Sequence, residues 1–446
     1  MDFIPVTQQE KEVMLKKLGL ASVEELFDIA IPEEVRMRRP LNVPSDISEY
    51  ELATKLTSIA AENASLDSYT AFLGGGAYDH FVPKIVDVVV SLPELYTSYT
   101  PYQPEVSQGV LQSLFEYQTM ISELTGLDVA NASLYDGSTA VAEAALLAHD
   151  VTGKSEVIIS EAVHPEYREV LKNYTRGLGI TIRTVPLENG QTDVESLDRM
   201  ISDSSACVIV QQPNFFGYLE DVVAIGKIAE RYPALFISCV DPISLGILKA
   251  PADYSADVAV GEGQSLGNQM NFGGPYLGIF ACRRDYLRRV PGHLISSAVD
   301  KNGKIGYVLT LQTREQHIRR ERATSNICTS ETLNAIAAAV YMSYLGPQGI
   351  REVANQCLQK AHYAYERLRS IDYLEPLSSA PFFKEFTFKS NKPIVEINKR
   401  LLSEGIIGGI DVGRFYPQHQ DTILFCVTEK RTKEEIDMLV EVMGMV

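Results

Sequence analysis

Hydrophobic spacing divides this 446-residue chain into parts of different character. Near the start, 7–30 ("TQQEKEVMLKKLGLASVEELFDIA") sets apolar residues three and four apart, the spacing of a helical stripe. Thr7 and Ser22 precede the stripes, each with Glu or Gln in the following turn, which predicts helix N-caps. A proline-bearing connector, "MRRPLNVPSD", leads to a further helix from Ser45. From about residue 66 short apolar runs take over, at 128–135, 156–160, 180–185, 207–211, 235–240, 257–260 and 277–282. Helical stretches such as "STAVAEAALLAHDVTG" and "HPEYREVLKNYTRGLG" separate them. This βαβ alternation predicts an α/β fold, a mostly parallel sheet with helices on both faces and ligands at the strands' carboxyl ends. Residues 330–370 read as long helices broken near "LGPQG", and the tail ("PFFKEFTFK", "KPIVEINKRLLSEG", "TILFCVT", "TKEEIDMLVEVM") as a small α+β unit. The predicted division is a helical arm at 1–62, a large α/β domain at 63–342 and a small α+β domain at 343–446.

Composition narrows the function. Apolar residues make up 45% and charged residues 22%, ordinary for a globular protein. A formal net charge of −18 argues against nucleic acid or an anionic membrane as partner, since both require a basic footprint. The N-terminus lacks a signal-peptide pattern, and no apolar run approaches the ~18 residues of a membrane span, so the expected location is cytoplasmic. Cys207, Cys239, Cys282 and Cys426 sit in apolar runs with no CxxC pair, and read as small buried hydrophobes rather than metal or redox groups. No metal site is expected.

The candidate chemistry gathers at strand ends. "DVAVGEGQSLGNQMNFGGP" (257–275) follows a strand with a glycine-rich loop, which lets backbone approach a ligand closely. It is a poor dinucleotide fingerprint, because nothing after Gly263 carries the stripe of a helix to face a pyrophosphate. "LYDGSTAVAEAA" (134–145) ends a strand and opens a helix at Ser138 and Thr139, which suits either an anion site or plain capping. His164 and Asp241 each follow a strand, and a ring plus an acid converging there would suit a pyridinium cofactor. Gly74–Gly76 suggest close backbone approach. "YTSYTPYQPEVSQG" (96–109) sets tyrosines in a proline-stiffened segment, and "LQTREQHIRRERATSNICTS" (311–330) reads as a basic helix.

Taken together, "YTPYQPEVSQG", "SLYDGSTA" and "GQSLGNQMNFGGP", with "LQTREQHIRR", "ATSNICT" and "VTEKRTKEEID", resemble the P-protein (glycine decarboxylase) family of the glycine cleavage system. The chain looks like that family's N-terminal half, which many prokaryotes make as a separate subunit 1. The resemblance implies the aspartate-aminotransferase type of fold, fold type I among enzymes using pyridoxal 5′-phosphate (PLP). It implies a reaction in which glycine loses CO₂ and its aminomethyl group passes to the lipoyl arm of H-protein. In the catalytic half, a His-Lys pair follows the "DV" strand and its lysine binds PLP. Here that pair falls on Gln264 and Ser265, and serine has no amine for a Schiff base. Asp241 falls at the family's pyridinium partner, His164 near its ring-stacking position, and Asp136 to Thr139, with Ser138, near its phosphate cup. These six positions (Ser138, Thr139, His164, Asp241, Gln264, Ser265) would then be a vestigial pocket. Lys249, the nearest other amine, precedes the strand in a polar loop and suits no Schiff base.

The resemblance therefore implies a subunit with no catalytic residue of its own. A lysine-bearing subunit 2 would bind PLP covalently, in an α2β2 assembly served by H-protein. Tyr99, Tyr102 and Gln103 are the candidate contacts to the partner's site. The alternatives are a non-catalytic scaffold or regulatory subunit, and a stand-alone enzyme using the lysine-free pocket for different chemistry.

Overall fold

The computed structural model describes residues 5–37, 39, 41–96, 103, 106–327 and 329–446. The chain forms two compact units, Met1–Ser65 and Leu66–Val446.

In the first unit, helices Gln8–Leu18, Val23–Ala30 and Glu49–Ala60 begin at Thr7, Ser22 and Ser48. Each cap hydroxyl accepts an N–H in the first turn, and Thr7 and Ser48 complete capping boxes with Glu10 and Glu51. None of these helices has a buried residue.

The second unit is built on a seven-stranded sheet. Its order is Val129–Ala130, Gly278–Cys282, Val258–Glu262, Leu235–Val240, Ser205–Gln212, Glu156–Ser160, Thr181–Val185. All neighbouring pairs are parallel except those of Gly278–Cys282, which runs against both its neighbours. The inner strands Leu235–Val240, Val258–Glu262 and Gly278–Cys282 are mostly apolar because both faces are covered, whereas the edge strand Thr181–Val185 is polar and half-exposed. Helix Gly137–Thr152 lies against one face, where Val141, Ala144, Ala145 and Ala148 meet Ile159, Ile209 and Val260. Its alanines allow the close approach.

The four-stranded antiparallel sheet of the tail, Leu374–Pro376, Glu385–Ser390, Thr422–Cys426 and Ile410–Asp411 in that order, carries helices Ile394–Ser403 and Lys433–Gly444. Helix Thr332–Leu368 leads into it, bent at Gly346, whose φ of 61° precedes Pro347. No helix among the described residues is long and apolar enough to cross a membrane.

Two expectations fail. The run 128–135 is a strand only at Val129–Ala130, with an isolated bridge at Leu134, because Ser133 adopts a φ of 118°. The run 311–330 is not a helix. It holds one turn, Gln316–Arg319, between 3₁₀ turns, with Leu311 and Arg320 both at φ 53°. Four arginines between Arg314 and Arg322 against two acids leave a helix there little to hold it.

Candidate functional site: a closed pocket at the strand ends

The carboxyl ends of the parallel strands deliver Gln211, Asp241 and Glu262 to one place, with His164 on the turn after Glu156–Ser160. Segment 74–80 and the C-terminal sheet close over them. Gly74 is required there, since a Cβ would lie 2.2 Å from Glu385 Oε1 and 2.7 Å from the Cys426 Cβ. Glu385 Oε1 accepts the Gly75 N–H at 2.6 Å and Oε2 accepts the Tyr78 hydroxyl at 2.8 Å. Burial pushes the Glu385 carboxyl up to about 7, against those hydrogen bonds and the Lys384 ammonium.

The structure places each sequence candidate. Ser265 is buried, and its hydroxyl has no hydrogen-bond partner among the described residues. Gln264 is buried and structural: its side-chain oxygen accepts the Tyr78 N–H (2.8 Å), and its amide donates to the carbonyls of Tyr78 (3.1 Å) and Asn268 (2.7 Å). His164 donates from Nε2 to the Gly75 carbonyl (2.8 Å), while Nδ1 accepts the Glu166 N–H (3.2 Å). That pairing fixes a neutral imidazole, and burial lowers its affinity for a second proton.

Asp136, not Ser138 or Thr139, caps helix Gly137–Thr152, accepting the Thr139 N–H and the Ser138 hydroxyl, each at 2.7 Å. Ser138 and Thr139 are buried but do not line the cavity beside His164 and Asp241. Lys249 is exposed. Gln103 is exposed, and Tyr99 and Tyr102 lie outside the described residues.

Three residues that sequence reasoning missed dominate this pocket. Lys384, from the turn before Glu385–Ser390, is fully buried, with its ammonium 2.8 Å from Asp241 Oδ2 and 3.0 Å from His80 Nε2. It also lies 3.5 Å from the centroid of the Tyr78 ring. Burial is the largest influence and opposes its charge, but Asp241 together with Cys426 and Cys357 raises its pKa. Tyr167 stacks on His164 with centroids 4.5 Å apart and planes 23° from parallel. Glu262 takes the helix N-terminus: Oε2 accepts the Gly137 N–H, and Oε1 accepts those of Gln264 and Leu277, each at 3.0 Å. Burial pushes its carboxyl up to about 8 despite the three N–H groups. Two signals were present in the sequence. Lys384 interrupts the apolar run "PFFKEFTF", and Glu262 sits between glycines at a strand end.

What remains between these side chains is a cavity of about 20 Å³, lined by His164, Tyr167, Asp241 and Glu262 among others. A water needs about 10–15 Å³ by this measure, and small-molecule sites offer roughly 300–1,000 Å³. PLP does not fit. At the positions where the family resemblance would put it, Ser265 has no amine, Asp241 is paired with Lys384, and the Gly137 N–H is taken by Glu262. Larger hollows, about 520 and 480 Å³, open elsewhere and include none of these residues.

His80, Cys357 and Glu429 bring ligand-type atoms within 4.8 Å of one another. They form a hydrogen-bonded knot rather than a cation site. His80 Nδ1 lies 2.6 Å from Glu429 Oε2, the Cys357 thiol donates to the same oxygen at 3.5 Å, and the Lys384 ammonium stands at His80's other nitrogen. A metal ion there would face that ammonium.

Comparison with known proteins gives one consistent picture. The family profile described as "Glycine cleavage system P-protein" matches residues 1–443. A "Probable glycine dehydrogenase (decarboxylating) subunit 1" of Carboxydothermus hydrogenoformans is 55% identical over 444 residues, covering 100% of this chain and 99% of that protein. Its counterpart in Anoxybacillus flavithermus is 50% identical over 442 residues, covering 99% and 98%. Among solved structures, a glycine decarboxylase (P-protein) of the glycine cleavage system, in inhibitor-bound form, superposes with a TM-score of 0.92 at 43% identity, with full coverage of both chains. A sphingosine-1-phosphate lyase of Burkholderia pseudomallei shares the fold at 15% identity (TM-score 0.68, covering 93% of this chain and 94% of that one).

Proposed function

Because this chain belongs to the glycine cleavage system P-protein family, we propose that it is subunit 1 of a heteromeric glycine dehydrogenase (decarboxylating) and binds no PLP of its own. Its fold is that of the PLP-dependent fold type I enzymes. The proposed partner is a lysine-bearing homologue, subunit 2, in an α2β2 complex of the cytoplasm that hands the aminomethyl group to lipoyl H-protein. PLP, held covalently by that partner, supplies the electron sink that lets glycine lose CO₂. The residues of this chain act by position. Glu385 and Gln264 hold segment 74–80 against the sheet end, which keeps water and ligands from the core behind it. Tyr99, Tyr102 and Gln103 are proposed to reach the partner's site.

The observation that supports this reading is Ser265: at the position the family resemblance assigns to the Schiff-base lysine stands a buried hydroxyl without a partner among the described residues. Lys384 cannot replace it, since Asp241 keeps its ammonium charged. The test is glycine–bicarbonate exchange measured for this chain alone, for the lysine-bearing homologue alone and for the two mixed. Activity restored only on mixing is expected. Exchange by this chain alone would overturn the proposal.

A further inference from the structure

We infer that Lys384, Tyr167 and Glu262 fill the cofactor pocket in the cofactor's place, each answering one of its binding poles, so that the pocket is a permanent clasp between the C-terminal sheet and the main sheet. The inference rests on the reading that this chain binds no PLP, and goes beyond it by naming what stands there instead.

A pyridine-ring phosphate ester makes three demands on a site at strand ends. Its ring nitrogen needs an acid, its ring a stacking partner, and its phosphate a set of N–H groups at a helix N-terminus. All three are met from within. The Asp241 carboxylate receives the Lys384 ammonium at 2.8 Å. The His164 ring receives the Tyr167 ring at 4.5 Å. The Gly137 N–H receives a Glu262 oxygen at 3.0 Å.

Gly137 records how tightly this is packed. A Cβ there would lie 2.7 Å from the Tyr167 hydroxyl oxygen and 3.0 Å from the Glu262 nitrogen. Tyr167 and Glu262 therefore occupy the space directly over the helix N-terminus. A pocket that had merely lost its lysine would keep an open volume and an unpaired acid. This one keeps neither.

The clasp also spans the unit. Lys384 and Glu385 come from the C-terminal sheet, Asp241 and Glu262 from the ends of the seven-stranded sheet, and Tyr78 and His80 from the segment between them. Closure that needs a bound ligand in a ligand-binding enzyme is here made by side chains already attached.

The test uses pyridoxamine 5′-phosphate, which carries its own amine and needs no lysine, titrated by fluorescence into the full chain and into its complex with the lysine-bearing partner. The unaltered chain is expected to show no saturable binding up to about 1 mM. The double variant Lys384→Met, Tyr167→Ala is expected to bind it at least tenfold more tightly than the unaltered chain. Saturation of the unaltered chain in the micromolar range would overturn the clasp, and so would a folded double variant that still binds nothing.

A second arm stands if the double variant does not fold. Lys384→Met leaves the mostly covered Asp241 carboxylate with only the Ile243 N–H and no counter-charge, and should lower the melting temperature by roughly 5 °C or more. Adding Asp241→Asn removes the stranded charge and should recover at least half of that loss. Equal stability of Lys384→Met and the unaltered chain would overturn the clasp. Borohydride reduction after PLP addition separates the two readings. An adduct mapped to a lysine of this chain overturns the proposed function itself, whereas micromolar binding without an adduct overturns the clasp alone.

Discussion

At Ser265 a buried hydroxyl has no hydrogen-bond partner among the described residues. Burying a hydroxyl without a hydrogen bond costs about 1–3 kcal/mol, so Ser265→Ala should leave stability unchanged or raise it by up to about 1 kcal/mol in chemical denaturation. Ser265→Lys should gain no borohydride-trappable PLP, because an amine at 265 does not remove Lys384, Tyr167 or Glu262. The buried carboxyls make a separate prediction. Burial raises Glu262 to about 8, Glu143 and Glu385 to about 7, and Glu220 to about 6. A folded state that holds these protons, facing an unfolded state that releases them near pH ~4.5, is favoured below that pH and loses the advantage as pH rises to each folded value. His164 and His419 act in the opposite sense, since burial lowers both. Their contribution is lost only as pH falls below about 6.5, so it is constant above that. Stability should therefore fall between about pH 6.5 and 8.5, by about 2 kcal/mol from Glu262 alone. Denaturation at a series of pH values checks this, and a flat or rising profile for the unaltered chain would contradict it.

The elements carry the site through their ends. Helix Gly137–Thr152 would ordinarily gain up to about 1 kcal/mol from Gly→Ala. At Gly137 the gain is outweighed, because the new methyl meets the Tyr167 hydroxyl at 2.7 Å and backbone at 3.0 Å, and overpacking of this kind costs about 1–3 kcal/mol. Gly137→Ala should thus destabilise, while Gly109→Ala, in an exposed first turn with nothing within 4 Å, should be neutral or stabilising. Thermal melts of the two variants compare them directly. The parallel strands were legible in the sequence because both their faces are apolar, and the caps Thr7 and Ser22 because their hydrogen bonds are local. His164 and Asp241 were legible as strand-end residues. Lys384 was not, because its partner Asp241 is 143 positions away and no local pattern announces a buried ion pair of that separation. The hairpin Leu294–Val299 with Ile305–Thr310 was also missed, since half-buried Ser296 and exposed Ser297 and Lys304 blur its alternation. The basic run at 311–330 misled for a related reason: charge spacing suggested a helix where positive φ at Leu311 and Arg320 breaks one.

Across the whole molecule, the apolar residues left outside the core point to assembly. In the unit Met1–Ser65, Ile29, Val35, Leu41, Val43 and Tyr50 are all more than half exposed, and its helices bury nothing. Apolar surface on that scale is characteristic of a surface that something else covers, and the lysine-bearing partner is the occupant proposed. Removing 1–65 should leave Leu66–Val446 cooperatively folded and weaken association with the lysine-bearing partner at least tenfold, read by sedimentation. Tyr99→Phe and Tyr102→Phe should each leave assembly unchanged, while at least one lowers exchange about tenfold or more, the worth of a hydroxyl hydrogen bond to a charged group. Full activity in both would reduce this chain to a scaffold. The central claim is that this chain serves a partner's active site and holds no cofactor. Its most direct measurement is the PLP content of the purified, active complex, with borohydride-fixed adducts assigned to one chain or the other by mass. One PLP per pair of chains, fixed only on the partner, is the result this account predicts. An adduct on this chain, or two PLP per pair, would contradict it.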